Sequence, residues 1–392
     1  DAPTEFMVTL PPAEYKTFRI QVIDTDNKIQ SFTANRTISV ARSAITTVNL
    51  GVNALKSVST LRHGYIFNYA LMRLANNTEN PETFDKKIKT IRFVTNSAET
   101  SEMIVSDETT AVPAYAVWNA ETGEMVIHTA ADKIMAHTNS SGTFKEMRAL
   151  TSLDLTGLDT ENATDMNNMF RNSFGLPELD VSKLNTANVT DMSYMFAGCS
   201  QLKRLDVSGF KTENATNMSG MFYGCFELAE LDVSGFKTAN VTDMSGMFSN
   251  CEQLTELDVS MFNTEKVGHI WSMFDGCSKL TSLDLKTFNT ANVTNMSGMF
   301  NRCESLTSLD LSMFNTEKVE FMNRLFRNCN NLTSLNLGTS FTMDLVSNTD
   351  EMCCDMASVS GACTVSCIEE TENKMKASNK FPTSGISFVR PQ

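Results

Sequence analysis

The second half of the chain repeats one arrangement of apolar and polar positions every 26 residues. Phenylalanine recurs at this interval, at Phe170, Phe196, Phe222, Phe248, Phe274, Phe300 and Phe326. A leucine column keeps step with it, at Leu153, Leu179, Leu205, Leu231, Leu257, Leu283, Leu309 and Leu335. A fixed period of this length is typical of stacked-repeat proteins. We therefore predict that each copy forms one rung of a stack, beginning near Phe144 and fading after Phe341.

Each copy contains two spacings in succession. The L-D-V segment alternates apolar and polar residues, which predicts a short strand with its leucine and valine facing inward. In the following V-x-x-M-x-x-M-F-x-x-C segment, as in Val241 to Cys251, apolar residues recur at intervals of three and four residues. That spacing predicts one short amphipathic helix, capped by Thr242 or its neighbours. One copy buries too little apolar surface to offset its ordering entropy, so the copies must stack.

The predicted fold class is α/β: a leucine-rich-repeat-like solenoid with one short strand and one short helix per rung, an N-terminal β-rich region and terminal caps. Residues 1–50 alternate apolar and polar positions, as in FRIQVI and TISVA, and predict antiparallel strands that could belong to a β-sandwich. Residues 51–138 are assigned to an N-terminal region and solenoid cap, 139–345 to the solenoid, and 346–392 to a C-terminal cap.

Two segments outside the repeats predict defined cap structures. Residues 111–136 predict a hairpin that leads into the first partial rung. Residues 363–391 predict a strand, a helix and a strand, with Pro382 and Gly385 marking the turn. Residues 51–85 yield no prediction.

Charge restricts the classes of partner. The chain has 46 acidic and 32 basic residues, a formal net charge of -14, which disfavours binding to nucleic acid or an anionic membrane surface. No segment approaches the roughly 18 consecutive apolar residues of a membrane span. Residues 1–4 do not resemble the basic start of a signal peptide, so an export signal or lipid anchor of a precursor would lie outside this sequence.

The repeat LDVSGFKTANVTDMSGMFSNCEQLTEL resembles those of the BspA-like leucine-rich-repeat surface proteins of gut and oral bacteria, and the resemblance covers about residues 88–392. Residues 5–50 resemble, more weakly, the closing strands of fimbrillin-like β-sandwich modules of bacterial surface lipoproteins. The resemblance implies export, attachment to the outer membrane through a lipid anchor, and adhesion to host or cell-surface proteins or glycans. It implies no catalytic residue and no cofactor. We expect a monomer.

One candidate binding surface is a column of outward aspartates within the L-D-V segments: Asp180, Asp206, Asp232, Asp258, Asp284 and Asp310. Stacked like charges repel, so something must offset the cost. Hydrogen bonds from neighbouring hydroxyl and backbone N–H groups would do so, and a bound cation or a basic partner is the alternative. His269, Trp271 and Phe321 break the repeat with larger side chains on the predicted helix side. This indicates a contact patch, and the alternatives are repeat drift or packing against the chain's own loops.

The recurrent cysteines and threonines have structural interpretations. The column Cys199, Cys225, Cys251, Cys277, Cys303 and Cys329 predicts buried, reduced thiols. For Cys353, Cys354, Cys363 and Cys367, disulfides, a metal site and buried thiols all remain open. The threonines Thr160, Thr186, Thr212, Thr238, Thr264, Thr290 and Thr316 are expected to serve in turns and caps.

No catalytic constellation interrupts the repeat. The four histidines are scattered and no phosphate-binding glycine loop occurs, so we predict that the protein is not an enzyme and uses no cofactor. Exposed positions vary between copies: Lys203 and Arg204 stand where the next copy has Ala229 and Glu230. This variation favours a cell-surface binding protein over a structural spacer or scaffold. A glycan-binding module is a further alternative.

Overall fold

A computed structural model of the chain describes strands within residues 13–40 and then residues 57–78, 84–99, 101, 103–359, 361–378, 381–382 and 384–391. The first strands are β1 (Ala13–Tyr15), β2 (Phe18–Ile23), β3 (Ile29–Ala34) and β4 (Ile38–Val40). Strand β1 pairs with β4 and β2 with β3, both antiparallel, which confirms the antiparallel pairing predicted here. The β-sandwich proposed for residues 1–50 depends largely on positions outside the described residues.

A mixed cap precedes the repeats. Its elements are β5 (Val58–Thr60), α1 (Gly64–Asn76), β6 (Thr90–Val94), β7 (Ala114–Asn119), β8 (Glu124–Thr129) and β9 (Lys133–Met135). Strands β7 and β8 form the predicted antiparallel hairpin. Helix α1 buries Phe67, whose ring meets that of Phe144 edge-on at 6.4 Å. The helix therefore covers one apolar end of the stack.

Short parallel strands link the rungs on the L-D-V side. The strands are β10 (Ser152–Leu153), β11 (Leu158–Asp159), β12 (Arg204–Leu205), β13 (Glu230–Leu231), β14 (Ser308–Asp310) and β15 (Ser334–Gly338). Strand β10 pairs in parallel with β6, β11 with β9, β12 with β13, and β14 with β15. The predicted L-D-V strand is thus confirmed in the copies that hold β10 and β12 to β15.

The predicted helix in each rung is wrong, and with it the α/β fold class. The described residues contain two α-helices, α1 and α2 (Glu369–Lys376), and both lie outside the repeats. In the segment 218–225, the N–H groups of Met221, Tyr223 and Cys225 each donate to the carbonyl three residues earlier, which closes tandem β-turns. The alternate N–H groups, such as that of Phe222, donate to carbonyls of the next rung. The repeats are therefore parallel strands and turns.

Backbone conformation explains why no helix forms. Two residues per rung, four apart, have positive φ, for example Gly220 at 58° and Gly224 at 69°. An α-helix needs φ near -63° at every residue, so a left-handed residue every fourth position prevents it. Glycine and asparagine, which adopt positive φ readily, occupy most of these positions. Tandem turns also place apolar residues at intervals of three and four residues. The apolar pattern of the repeats therefore resembles that of a helix.

The phenylalanine column forms the centre of one continuous core. The rings of Phe144, Phe170, Phe196, Phe222, Phe248, Phe274, Phe300 and Phe326 stack with centroids 5.4–6.0 Å apart and interplanar angles of 3–11°. All eight are fully buried, and one cluster of apolar side chains extends from Leu61 to Met375. The predicted stacking of equivalent side chains is confirmed.

The threonine column joins consecutive rungs. Thr238 Oγ1 donates to the Asn263 carbonyl at 2.9 Å and accepts from the Asn263 N–H at 2.7 Å. The same pair of bonds recurs at Thr160, Thr186, Thr212, Thr264 and Thr316, and Thr290 Oγ1 donates to the Asn315 carbonyl. Thr242, predicted to cap a helix, instead donates to the Thr216 carbonyl of the preceding rung. The threonines thus connect rungs, a role that the sequence reasoning did not assign.

The cysteine column is buried as predicted. Cys251 Sγ donates to the Phe222 carbonyl at 3.2 Å, and Ser173, which replaces cysteine in the first copy, donates to the equivalent Phe144 carbonyl at 2.7 Å. Burial raises the pKa of the Cys277 thiol to about 12. These thiols are therefore structural groups and poor nucleophiles when the protein is folded.

The C-terminal cap continues the parallel sheet. Strand β16 (Cys363–Cys367), helix α2 and strand β17 (Ile386–Val389) follow the last rung, as predicted, and the strand order is β14-β15-β16-β17. Cys353, Cys363 and Cys367 are buried in this region. Within the described residues, neither helix is long and apolar enough to cross a membrane.

Candidate binding surface

The six aspartates stand exposed on the L-D-V side, one per rung, as predicted. Asp232 Oδ1 accepts from the Ser234 N–H at 2.9 Å, and the equivalent bond to the residue two positions later recurs at all six. Hydrogen bonds from the side chain and then the backbone of Ser234 lower the pKa of Asp232. The carboxylates are therefore stabilised within the chain, which supports the hydrogen-bonding interpretation.

Part of this column borders an open surface depression of about 790 Å³. Asp206 and Asp232 line it together with Arg204 and Glu230, which face each other in the β12–β13 pair. The variation between adjacent copies seen in the sequence is thus displayed side by side on one surface. The depression is open, and six of its seven charged lining residues are acidic. It suits contact with a macromolecule better than enclosure of a small molecule.

His269, Trp271 and Phe321 lie on a different ladder from the aspartates. His269 forms parallel bridges with Asp243 and Asn295, and Phe321 continues the same ladder two rungs later. Trp271 and Phe321 are each 39% exposed. The structure therefore brings these three residues onto the tandem-turn side and separates them from the aspartate column. Because no helix exists here, their predicted place beside a helix is corrected to a place on the turns.

Tyr223 is an exposed aromatic residue on the same side that the sequence reasoning missed. It follows Phe222 directly, and the equivalent positions of other rungs hold Arg171, Ala197 and Ser249. A large ring at a position otherwise polar or small was the available signal. The ring is 46% exposed and approaches the backbone at Gly246.

Arginine–carboxylate pairs lie on the tandem-turn side. Arg302 contacts Asp275 at 3.2 Å, and burial of Asp275 raises its pKa despite that partner. Within the described part of the chain, no group of three or more His, Cys, Asp or Glu side chains is placed to hold a metal ion. The surface therefore offers hydrogen-bonding groups, charge and exposed aromatic rings.

Comparison with known proteins identifies one family. The family model described as "Mycoplasma protein of unknown function, DUF285" matches residues 138–257 and 243–365. The two matches together cover all the rungs and more than half of the chain. Neither the curated proteins nor the solved structures contain a match.

Proposed function

The chain belongs to the DUF285 family, and on that premise we propose that it is a non-enzymatic cell-surface binding protein whose stacked rungs contact host or cell-surface macromolecules. The finer likeness of its repeats to BspA-like surface proteins supports the same proposal. That likeness also supports export and a lipid anchor in the precursor.

The observation that carries the proposal is the contrast between constant interior columns and variable exterior columns. The inward phenylalanines do not change from Phe170 to Phe326, whereas the exposed position of Arg204 holds glutamate in the next two copies, at Glu230 and Glu256. A spacer needs only the interior columns to stay stiff. An exterior that differs from rung to rung gives a partner a distinct set of contacts.

Binding by the full chain tests the proposal. Host matrix proteins, mucins and glycans are immobilised, and the folded chain is applied alongside the urea-unfolded chain and an unrelated folded protein of similar negative charge. We expect saturable binding of the folded chain to at least one protein of the panel, and none by either control. Binding no stronger than that of the unrelated acidic protein would contradict the proposal and favour a spacer.

Surface location is tested separately on intact cells that express the full precursor. We expect a non-permeant protease to remove the rungs without lysis, because a binding protein of this kind must face the medium. Complete protection of the rungs until the cells are lysed would contradict this part of the proposal.

A further inference from the structure

Three exposed rings occur on alternate rungs of the tandem-turn side. Tyr223, Trp271 and Phe321 belong to the rungs of Phe222, Phe274 and Phe326, and 39–46% of each side chain is exposed. We call these three residues the ring surface. Exposed aromatic side chains are enriched among residues that dominate binding energy at protein interfaces.

Earlier rungs on the same side show what such rings contact. The guanidinium of Arg171 lies 5.2 Å from the centre of the Tyr194 ring, and the ammonium of Lys145 lies 5.5 Å from that of Tyr65. Both distances fall within the range of cation–π attraction. Lys145 and Arg171 occupy equivalent positions of consecutive rungs, directly after Phe144 and Phe170. The chain thus covers its own rings with cations at this end of the stack.

The ring surface lacks such cover. Tyr223 stands at the position equivalent to Arg171 and approaches Gly246, which is equivalent to Tyr194. No cation or second ring contacts Tyr223, Trp271 or Phe321 among the described residues. The nearby cations are engaged elsewhere.

Those cations are held by carboxylates on the same side. Arg302 pairs with Asp275, while Arg324 and Arg327 both pair with Glu351. None of these three arginines lies against Tyr223, Trp271 or Phe321. Within the described residues the chain therefore supplies no cation to the ring surface, and a partner can supply one.

We propose that the ring surface binds a basic segment of a partner protein, with arginine or lysine side chains lying against the exposed faces of Tyr223, Trp271 and Phe321. This inference rests on the proposed binding function and specifies its partner. The net charge of -14 attracts a cationic segment over distance. Asp243, on the rung between those of Tyr223 and Trp271, adds a local negative charge.

The spacing of the rings sets the spacing of the cations. Between Trp271 and Phe321, the core phenylalanine rings of successive rungs have centroids 6.0 Å apart, while the hydrogen-bonded backbones lie about 4.8 Å apart. Two rungs therefore separate the rings by roughly 10–12 Å along the stack, and an extended peptide advances ~3.3 Å per residue. A segment with a basic residue at every third or fourth position fits this surface.

Fluorescence of the full chain tests the inference directly. The chain has two tryptophans, so Trp118→Phe leaves Trp271 as the single reporter. The probe is a glycine–serine peptide with arginine at every fourth position, and the matched control is the same peptide with uncharged citrulline at those positions. We expect a saturable change in Trp271 emission with the arginine peptide and at least a several-fold weaker response to the citrulline peptide. Equal responses would overturn the inference.

Variants locate the contact through the affinity of a dye-labelled arginine peptide. Tyr223→Ala and Phe321→Ala should each weaken binding roughly two- to fivefold, the share of one exposed cation–π contact. Trp271→Phe should retain most of the affinity and Trp271→Ala should not. Met313→Ala, at a side chain that is 64% exposed, is the control and should leave binding unchanged.

Failure of this inference is distinguishable from failure of the proposed function. If the alanine variants bind the arginine peptide as strongly as the unaltered chain, the ring surface is not the binding site. Binding of the full chain to the panel of host proteins, mucins and glycans would be unaffected by that result. A Trp271 response to oligosaccharides but not to the arginine peptide would overturn the basic partner and favour a glycan. Absence of all binding to the panel would contradict the proposed function itself.

Discussion

Replacing Thr238 by valine removes one link between rungs while preserving the shape of the side chain. Thr238 is 2% exposed, and its hydroxyl makes two hydrogen bonds with the backbone of Asn263, at 2.7 and 2.9 Å. Valine is also β-branched and nearly isosteric, so it creates almost no cavity. Its methyl group, however, leaves one N–H and one carbonyl of Asn263 without their partner.

The expected loss follows from these two bonds. A hydrogen bond contributes about 0.5–1.5 kcal/mol net, and a group left unpaired and buried costs about 1–3 kcal/mol. Because Asn263 is itself exposed, water can replace part of the loss. We therefore expect Thr238→Val to lower the free energy of unfolding by about 2 kcal/mol.

Urea unfolding of the full chain measures this change, provided that the denaturant dependence is the same in both proteins. Thr242→Val is the matched control, because Thr242 is exposed and its own N–H also donates to the carbonyl that its hydroxyl contacts. We expect the control to change stability by less than about 0.5 kcal/mol. Equal effects of the two substitutions would refute the linking role of the threonine column.

Three further predictions concern the turns and thiols. Gly220→Ala should lower the free energy of unfolding by about 1–2 kcal/mol, because φ at Gly220 is 58° and the added methyl group would overlap the Tyr194 ring. Gly209 has open space around it, so Gly209→Ala should change the free energy of unfolding measured in urea by less than about 0.5 kcal/mol. Cys251→Ser should keep the bond to its carbonyl and unfold at a higher urea concentration than Cys251→Ala; the reverse order would contradict this. With a pKa of about 12, the Cys277 thiol should resist iodoacetamide at neutral pH until urea unfolds the chain, as peptide mass mapping would show.

The arrangement of the core was predictable because it depends on side-chain type at a fixed interval. The phenylalanine and leucine columns gave the register of the stack, and Cys251 followed as a buried group. The path of the backbone between these columns was not predictable from apolar spacing alone. Glycine or asparagine at the positions of Gly220 and Asn250 carried the missing signal, because both disfavour a helix interior and accept positive φ.

The candidate surface was only partly predictable. Trp271 and Phe321 were identified as departures from the repeat, which sequence alone reveals. Tyr223 was missed because its position holds many different residue types among the copies, so that a tyrosine there does not break a constant column. Arg171 lies over the ring of Tyr194, which belongs to the next rung. Three-dimensional packing determines this contact, and the spacing of residues in the sequence does not reveal it.

Hydrogen-bond connectivity in the rungs tests the central claim most directly, since the binding surface exists only if tandem turns present it. Scalar couplings across hydrogen bonds in the deuterated protein identify the acceptor of each amide by nuclear magnetic resonance. The account predicts that the Phe222 N–H couples to the carbonyl carbon of Met247 on the next rung. Coupling to the carbonyl carbon of Met218, four residues earlier, would show an α-helix and contradict the account.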